Sequence, residues 1–445
     1  MKNTLKLIAE KKFVDARETL KNKNAVDIAA SLEKLDKDSI IKIFRVLPKD
    51  FAADVFAYLD HEQRLFIINS ITDSEISNII NDLFIDDTVD FLEELPANMV
   101  KKILMNTDEN TRKIINQFLK YPESSAGSIM TIEYADLKKD MTVNDAISHI
   151  KKTGIDKETI NTCYVLGSNR ELEGIISIRK LILSECNMLI ADLMKTEFIH
   201  VTTLDDQENI AYLFKKYDLL SIPVTDNEKK LVGIITIDDI VDIIDQENTE
   251  DLQKMAGMEP NEEEYLKTSV WNLAKHRIIW LLVLMISATF TGNIIRKFED
   301  VLQSVVILAA FIPMLMDTGG NAGSQSSTLI IRGLALGDIK LSDGFKVVFK
   351  ELKVSAITGF VLASVNFIRI YYFEKTSFLI SITVCISLFC TVVMAKVLGG
   401  ILPIIAKKLK LDPAIMASPL ITTIVDAVAL TLYFTLAVTL LNLPV

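Results

Sequence analysis

Histidine and cysteine are scarce, with four of each in 445 residues. Cys163, Cys186, Cys385 and Cys390 form no CxxC pair, and the last two lie in apolar segments. They read as free thiols of a reduced compartment. His61, His149, His200 and His276 are scattered ahead of the apolar half, so no Cys/His ligand set for a soft metal is visible. P-loop, HExxH and nucleophile motifs are also missing, which leaves ATP-driven pumping and hydrolysis without support and predicts that the chain is not an enzyme. The opening MKNTLKLIAEKKF lacks an apolar core, so no signal peptide is expected.

What the chain does have is charge, distributed unevenly. Up to Val270 there are 33 Lys+Arg against 50 Asp+Glu; from Trp271 onward there are 15 against 9. The two parts are suited to different solvents. The acidic part argues against nucleic acid, whose phosphates it would repel, and leaves cations as its natural small partners.

Between Asn24 and Phe118 apolar residues recur at helical spacing, as in Ile40, Ile43, Phe44 and Leu47. Leu47-Pro48 returns as Leu95-Pro96, and in the same register Val55 matches Ile103 and Ile67 matches Ile115. The spacing predicts a small all-α superhelical domain over 1–122, with the prolines starting helices.

A second repeat is sharper. The run from Asn169 to Ile178, with Leu172, Gly174 and Ile-Ile-Ser-Ile, is echoed from Glu228 to Ile237 by Leu231, Gly233 and Ile-Ile-Thr-Ile. Ser128-Ile-Met130-Thr and Asp192-Leu-Met194-Lys precede the two copies. Two tandem βαββα units are expected, each needing the other to cover its sheet. The pair resembles a tandem cystathionine-β-synthase-type (CBS) module, with a first domain over 123–188 and a second over 189–248. Thr236 and Asp238 fit the T-x-D pattern by which some such modules bind adenine nucleotides such as ATP; the same aspartate could instead cap the following helix. From Ile237 to about Leu266 one long acidic helix is expected, its later part, 249–276, connecting the module to the apolar half.

From 277 onward five segments are long and apolar enough to cross a bilayer: 278–296, 303–332, 350–373, 377–402 and 414–441. Lys267, Lys275, Arg277, Lys340, Lys346, Lys350, Lys353, Lys407, Lys408 and Lys410 fall on one side of these spans. Only Arg296, Lys297, Arg369 and Lys375 fall on the other. The charge bias therefore predicts a multi-pass plasma-membrane protein with its amino terminus in the cytoplasm and its carboxyl terminus outside.

Charged groups inside a span cost at least about 2.5–3.5 kcal/mol at its centre, so they rarely sit there without a role. Asp426 stands in the fifth span one turn after Thr422 and Thr423, with no basic residue near it in sequence. It is the leading candidate for a watery cation path. The second span carries Asp317, Gly319, Gly320, Asn321 and Gln325, too many small and polar residues for a lipid-facing helix. The glycines could admit another backbone or free carbonyls toward a cavity.

These residues carry a family resemblance. Pro313 with Asp317-Thr-Gly-Gly-Asn-Ala-Gly-Ser-Gln, and Leu411-Asp412-Pro413-Ala414 with Pro419 and Thr422-Thr423-Ile-Val-Asp426, resemble the second and fifth spans of MgtE magnesium channels. So do Asp86-Asp87-Thr-Val-Asp90, Tyr121-Pro-Glu-Ser-Ser-Ala-Gly and the order of domains; Ser418, where the family often has an amide, departs from it. The resemblance implies a homodimer passing Mg²⁺ through one axial pore lined by the second and fifth spans, the counterpart of Asp426 holding the hydrated ion. It further implies closure by cytoplasmic Mg²⁺, for which Asp86, Asp90, Asp242, Glu247, Glu250 and Asp412 match best by position. Carriage of another divalent metal, such as Co²⁺ or Mn²⁺, is the alternative expectation.

Overall fold

A computed structural model describes residues 2–93, 95–261, 265–416 and 418–443. The chain divides into two compact units, Met1–Ile244 and Asp245–Val445.

The first unit opens with short helices from Lys2 to Phe118, two of them (Lys2–Ala9 and Phe13–Lys21) ahead of the expected start at Asn24. Polar N-caps set their beginnings: the side chains of Asn24, Asp36, Asp60, Thr72 and Asp108 accept from the first-turn backbone N–H groups. Pro48 and Pro96 each stand immediately before a helix, Lys49–Ala57 and Ala97–Asn106, as the 48-residue echo predicts. Val55, Ile103, Ile67 and Ile115 are all fully buried, so the repeat holds in packing as well as in sequence.

Two three-stranded sheets follow, β1 (Tyr134–Leu137), β2 (Thr159–Leu166) and β3 (Leu172–Ser177), then β4 (Val201–Thr202), β5 (Ser221–Thr225) and β6 (Leu231–Thr236). In each the first pair is parallel and the second antiparallel, which gives the tandem βαββα units of the CBS pair. The units exchange their leading segments. Thr131, ahead of the first, bonds both ways with Ile234 of the second (2.8 Å each), and Lys195, ahead of the second, bonds with Ile175 of the first (2.9 and 3.0 Å). One edge of each sheet, at β3 and at β6, is thus met by a segment belonging to the other repeat.

The acidic helix runs Ile237–Met255 rather than to Leu266, which corrects the expected single long helix and the connecting helix over 249–276. Gly257 adopts φ +70°, where its N–H bonds back to the Lys254 carbonyl and that of Met258 to the Gln253 carbonyl. This left-handed turn ends the helix, and Pro260 follows it. The Gln253 side chain then holds Asn261 at both its N–H (2.6 Å) and its carbonyl (3.0 Å). Residues 262–264 of the expected run, and the side chain of Ser418, lie outside the described ones.

Among the described residues, five helices are long and apolar enough to cross a membrane. Span 1 is Val270–Lys297; span 2 is Ile312–Ala335, preceded by a 3₁₀ stretch from Val306; span 3 is Gly344–Ile368; span 4 is Phe378–Lys408; span 5 is Ser418–Leu441. Span 1 starts eight residues earlier than its apolar segment and span 4 ends six later, because a helix does not stop where hydrocarbon does. Spans 2, 4 and 5 share a core that includes Leu315, Val384, Leu388, Ile421 and Val425. The Tyr433 hydroxyl donates to the Leu308 carbonyl (3.0 Å), satisfying a buried polar group there.

Candidate ion path and cation-sensing acids

Span 2 is an unbroken helix with two different faces. One carries Gly319, Gly320 and Gly323, all buried. A Cβ on Gly320 would sit 2.7 Å from Thr422 Cγ2, and one on Gly319 2.8 Å from Thr391 Cγ2. A Cβ on Gly399 of span 4 would overlap the Gly323 carbonyl. Gly319 and Gly320 therefore sit in a close helix seam, one of the two roles the sequence leaves open for them.

The other face is polar and exposed, with Asp317, Asn321 and Gln325 four residues apart, and the Asn321 amide donating to Asp317 (3.1 Å). Asp426 stands nearby on span 5. Its Oδ1 is buried and has no hydrogen-bond partner among the described residues. Thr422 closes against Gly320, and the Thr423 hydroxyl donates to the Pro419 carbonyl (3.1 Å). A buried carboxylate oxygen without a partner is costly unless a cation or its water supplies the missing donor.

Sequence reasoning missed two ionisable residues in the spans. Lys396 of span 4 is 6% exposed and donates to Gln325 (3.3 Å); Glu351 of span 3 is 9% exposed and accepts from Ser326 (2.6 Å). An apolar window hides a single charge, and counting charges span by span would have exposed both.

In the first unit a group of acids gathers around Asp86. Asp86 is buried and its carboxyl is pushed well up, by burial first and then by Asp239, Asp87 and Glu158. Burial and neighbouring acids, Asp238 foremost, raise Glu158 to about 7, and burial leads in raising Asp239 to about 6. The Thr236 hydroxyl donates to Asp239 (2.8 Å), not to Asp238, and Asp238 is exposed at the start of the acidic helix. Glu158 and Asp239 join Asp86 and its neighbour Asp87 from distant parts of the chain, beyond the reach of a linear motif. Asp90 and Asp242 are exposed on their helices.

In the second unit Glu250 and Asp412 are already joined by a cation of the protein's own. Lys254 forms ion pairs with both, at 2.6 Å for Asp412. Burial opposes the lysine's charge, but hydrogen bonds to Asp412 and Glu250 outweigh that and raise its pKa. Glu247 is half-buried on the same helix, and Arg332 of span 2 donates to Asn248 (3.1 Å). Among the described residues no three His, Cys, Asp or Glu side chains come close enough to hold a metal directly.

Comparison with known proteins gives this geometry its context. Residues 312–436 match the family model of a divalent cation transporter, 23–124 that of the MgtE intracellular N domain, and 190–246 that of the CBS domain. The magnesium transporter MgtE of Bacillus subtilis is 33% identical over 97% of this chain and 95% of its own. That of Thermus thermophilus is 33% identical over 96% and 95%. A crystal structure of the cytosolic domain of the Mg²⁺ channel MgtE in complex with ATP is 30% identical, with a TM-score of 0.51, covering 55% of this chain and all of that one. The chain belongs to the MgtE family of magnesium transporters.

Proposed function

We propose that the chain forms a homodimeric, Mg²⁺-selective channel that admits Mg²⁺ down its gradient and closes when cytoplasmic Mg²⁺ binds its acidic regions. The observation that carries this reading is the exposed stripe of Asp317, Asn321 and Gln325 beside the unpartnered oxygen of Asp426. Such a face does not lie against hydrocarbon. Two copies facing one another across a two-fold axis would enclose it around water. Mg²⁺ parts with its hydration shell reluctantly, so carboxylates and amides reaching it through its waters suit it better than a closed cage of ligands. No energy-coupling motif is present, so flow is downhill.

The acids around Asp86 support the sensing half. With carboxyls held above their ordinary range, a divalent cation arriving there relieves both burial and mutual repulsion. Asp90, Asp242, Glu247, Glu250 and Asp412 are assigned to the same regulatory role, Glu250 and Asp412 being joined through Lys254. Adenine nucleotide is assigned to Thr236 and Asp238, since a related cytosolic domain binds ATP and Asp238 is exposed at a helix start. The carboxyl terminus lies outside the cell, by the placement of basic residues.

The test is uptake by the purified full chain in liposomes holding a Mg²⁺-sensitive dye, with Co²⁺, Mn²⁺ and Ca²⁺ as competitors. Mg²⁺ entry without ATP, little affected by equal Ca²⁺, is expected. Entry of Co²⁺ or Mn²⁺ in preference to Mg²⁺ would replace the reading with the alternative metal, and absence of any flux would end it.

A further inference from the structure

Lys396 is unusual among the charges of the membrane part. Its ammonium lies twelve residues from the end of span 4, about 18 Å along the helix, too deep to reach water beyond the bilayer by stretching. It is nine-tenths buried, and its one polar contact among the described residues is the neutral Gln325 amide oxygen at 3.3 Å. The buried acid closest to it on the neighbouring helix, Glu351, is engaged by Ser326 and packs over Gly400, one turn beyond Lys396. Lys396 instead lines a cavity of about 460 Å³ together with Asp317, Asn321 and Gln325, walled on span 3 by Ile357 and Val361. A lone ammonium so placed needs negative charge, and the carboxylate in its own cavity is Asp317, two helical turns along the stripe from Gln325.

Resting on the reading of that stripe as the ion path, we infer that Lys396 is a specificity-determining residue: a tethered cation that occupies the stripe when no ion is present and excludes monovalent ions. The four-carbon stem is flexible and keeps the ammonium at high effective concentration beside the stripe oxygens. A free monovalent ion brings the same charge and no tether, so it does not displace the lysine. A hydrated divalent ion brings twice the charge, and its attraction to Asp317 and Asp426 is doubled, so it does. The lysine then gives up the stripe oxygens, that of Gln325 among them, to the ion and its waters.

Initial Mg²⁺ uptake over a range of Mg²⁺ concentrations, with K⁺ flux beside it, tests this for the full chain in liposomes as Lys396→Gln, Lys396→Arg and Gln325→Glu. Lys396→Gln removes the competitor, so its half-saturating Mg²⁺ falls several-fold and K⁺ begins to pass. Lys396→Arg tracks the parent in both. Gln325→Glu grips the ammonium and raises the half-saturating Mg²⁺. Unchanged half-saturation in Lys396→Gln with K⁺ still excluded overturns the inference, as does loss of Mg²⁺ uptake in a Lys396→Gln protein that elutes like the parent. If Lys396→Gln does not assemble, Gln325→Glu decides, and an unchanged half-saturation there overturns it. Asp426→Asn run alongside separates the two levels: uptake lost there with Lys396→Gln silent removes the lysine's role alone, while normal uptake in Asp426→Asn removes the ion path itself.

Discussion

Asp426→Asn keeps the shape of the side chain and removes its charge, so its effect can be worked from electrostatics. A fully hydrated Mg²⁺ holds its waters at about 2.1 Å, and a water donates to a carboxylate over about 2.7 Å, so ion and carboxylate oxygen stand about 4.8 Å apart. Two charges against one at that distance interact by about 1.7 kcal/mol in bulk water and about 7 kcal/mol at the effective dielectric of a protein surface. Oδ1 is buried without a partner, which places the site between those limits. Even the lower limit corresponds to more than a tenfold change, at about 1.4 kcal/mol per factor of ten. Initial Mg²⁺ uptake well below half-saturation, measured in liposomes at matched protein content, should therefore drop at least about tenfold in Asp426→Asn. Rates within twofold of the parent would refute the assignment, because no aqueous or protein dielectric makes the lost term that small.

Three further outcomes follow from packing and charge. Gly399→Ala drives a methyl into the Gly323 carbonyl across spans 2 and 4, and should cost about 1–3 kcal/mol, read as a lower melting temperature in detergent; an unshifted midpoint contradicts the close seam. Lys254→Met leaves Glu250, Asp251 and Asp412 facing one another and should loosen the end of the acidic helix by about 1–2 kcal/mol, read as faster proteolysis near Met255; equal rates argue against the ion pairs. Glu158 at about 7 and Asp239 at about 6 bind protons more tightly folded than unfolded, so their contribution is fully present below about pH 4 and lost as pH rises through 6 to 7. In EDTA the cytoplasmic transition should fall on moving from pH 5 to pH 8, and millimolar Mg²⁺ should restore it at pH 8; a transition blind to both would contradict the acid grouping.

How much of this was legible in the sequence depended on the range of the interaction. The spans were, because an uninterrupted apolar run of that length has few other uses, and the paired sheets were, because Leu172-Glu-Gly-Ile-Ile and Leu231-Val-Gly-Ile-Ile repeat one strand. Charge periodicity suggested a helix to Leu266, but a single left-handed glycine at 257 overrode it. Asp426 stood out as an acid in an apolar field. Lys396 did not, because its meaning lies in Gln325 and Asp317 on another helix, and the acids around Asp86 likewise become a group only once three separate segments meet.

The exchange of leading segments between the two CBS repeats also sets a timetable for synthesis. Thr131 leaves the ribosome long before Ile234, the residue that bonds to it, and at about 5–20 residues per second it waits roughly 5–20 s. Over that interval the Thr131 segment stays without its strand partner, and a neighbouring nascent chain could pair with it instead. Production of this protein should therefore suffer from crowded polysomes, and more so when slow elongation lengthens the wait.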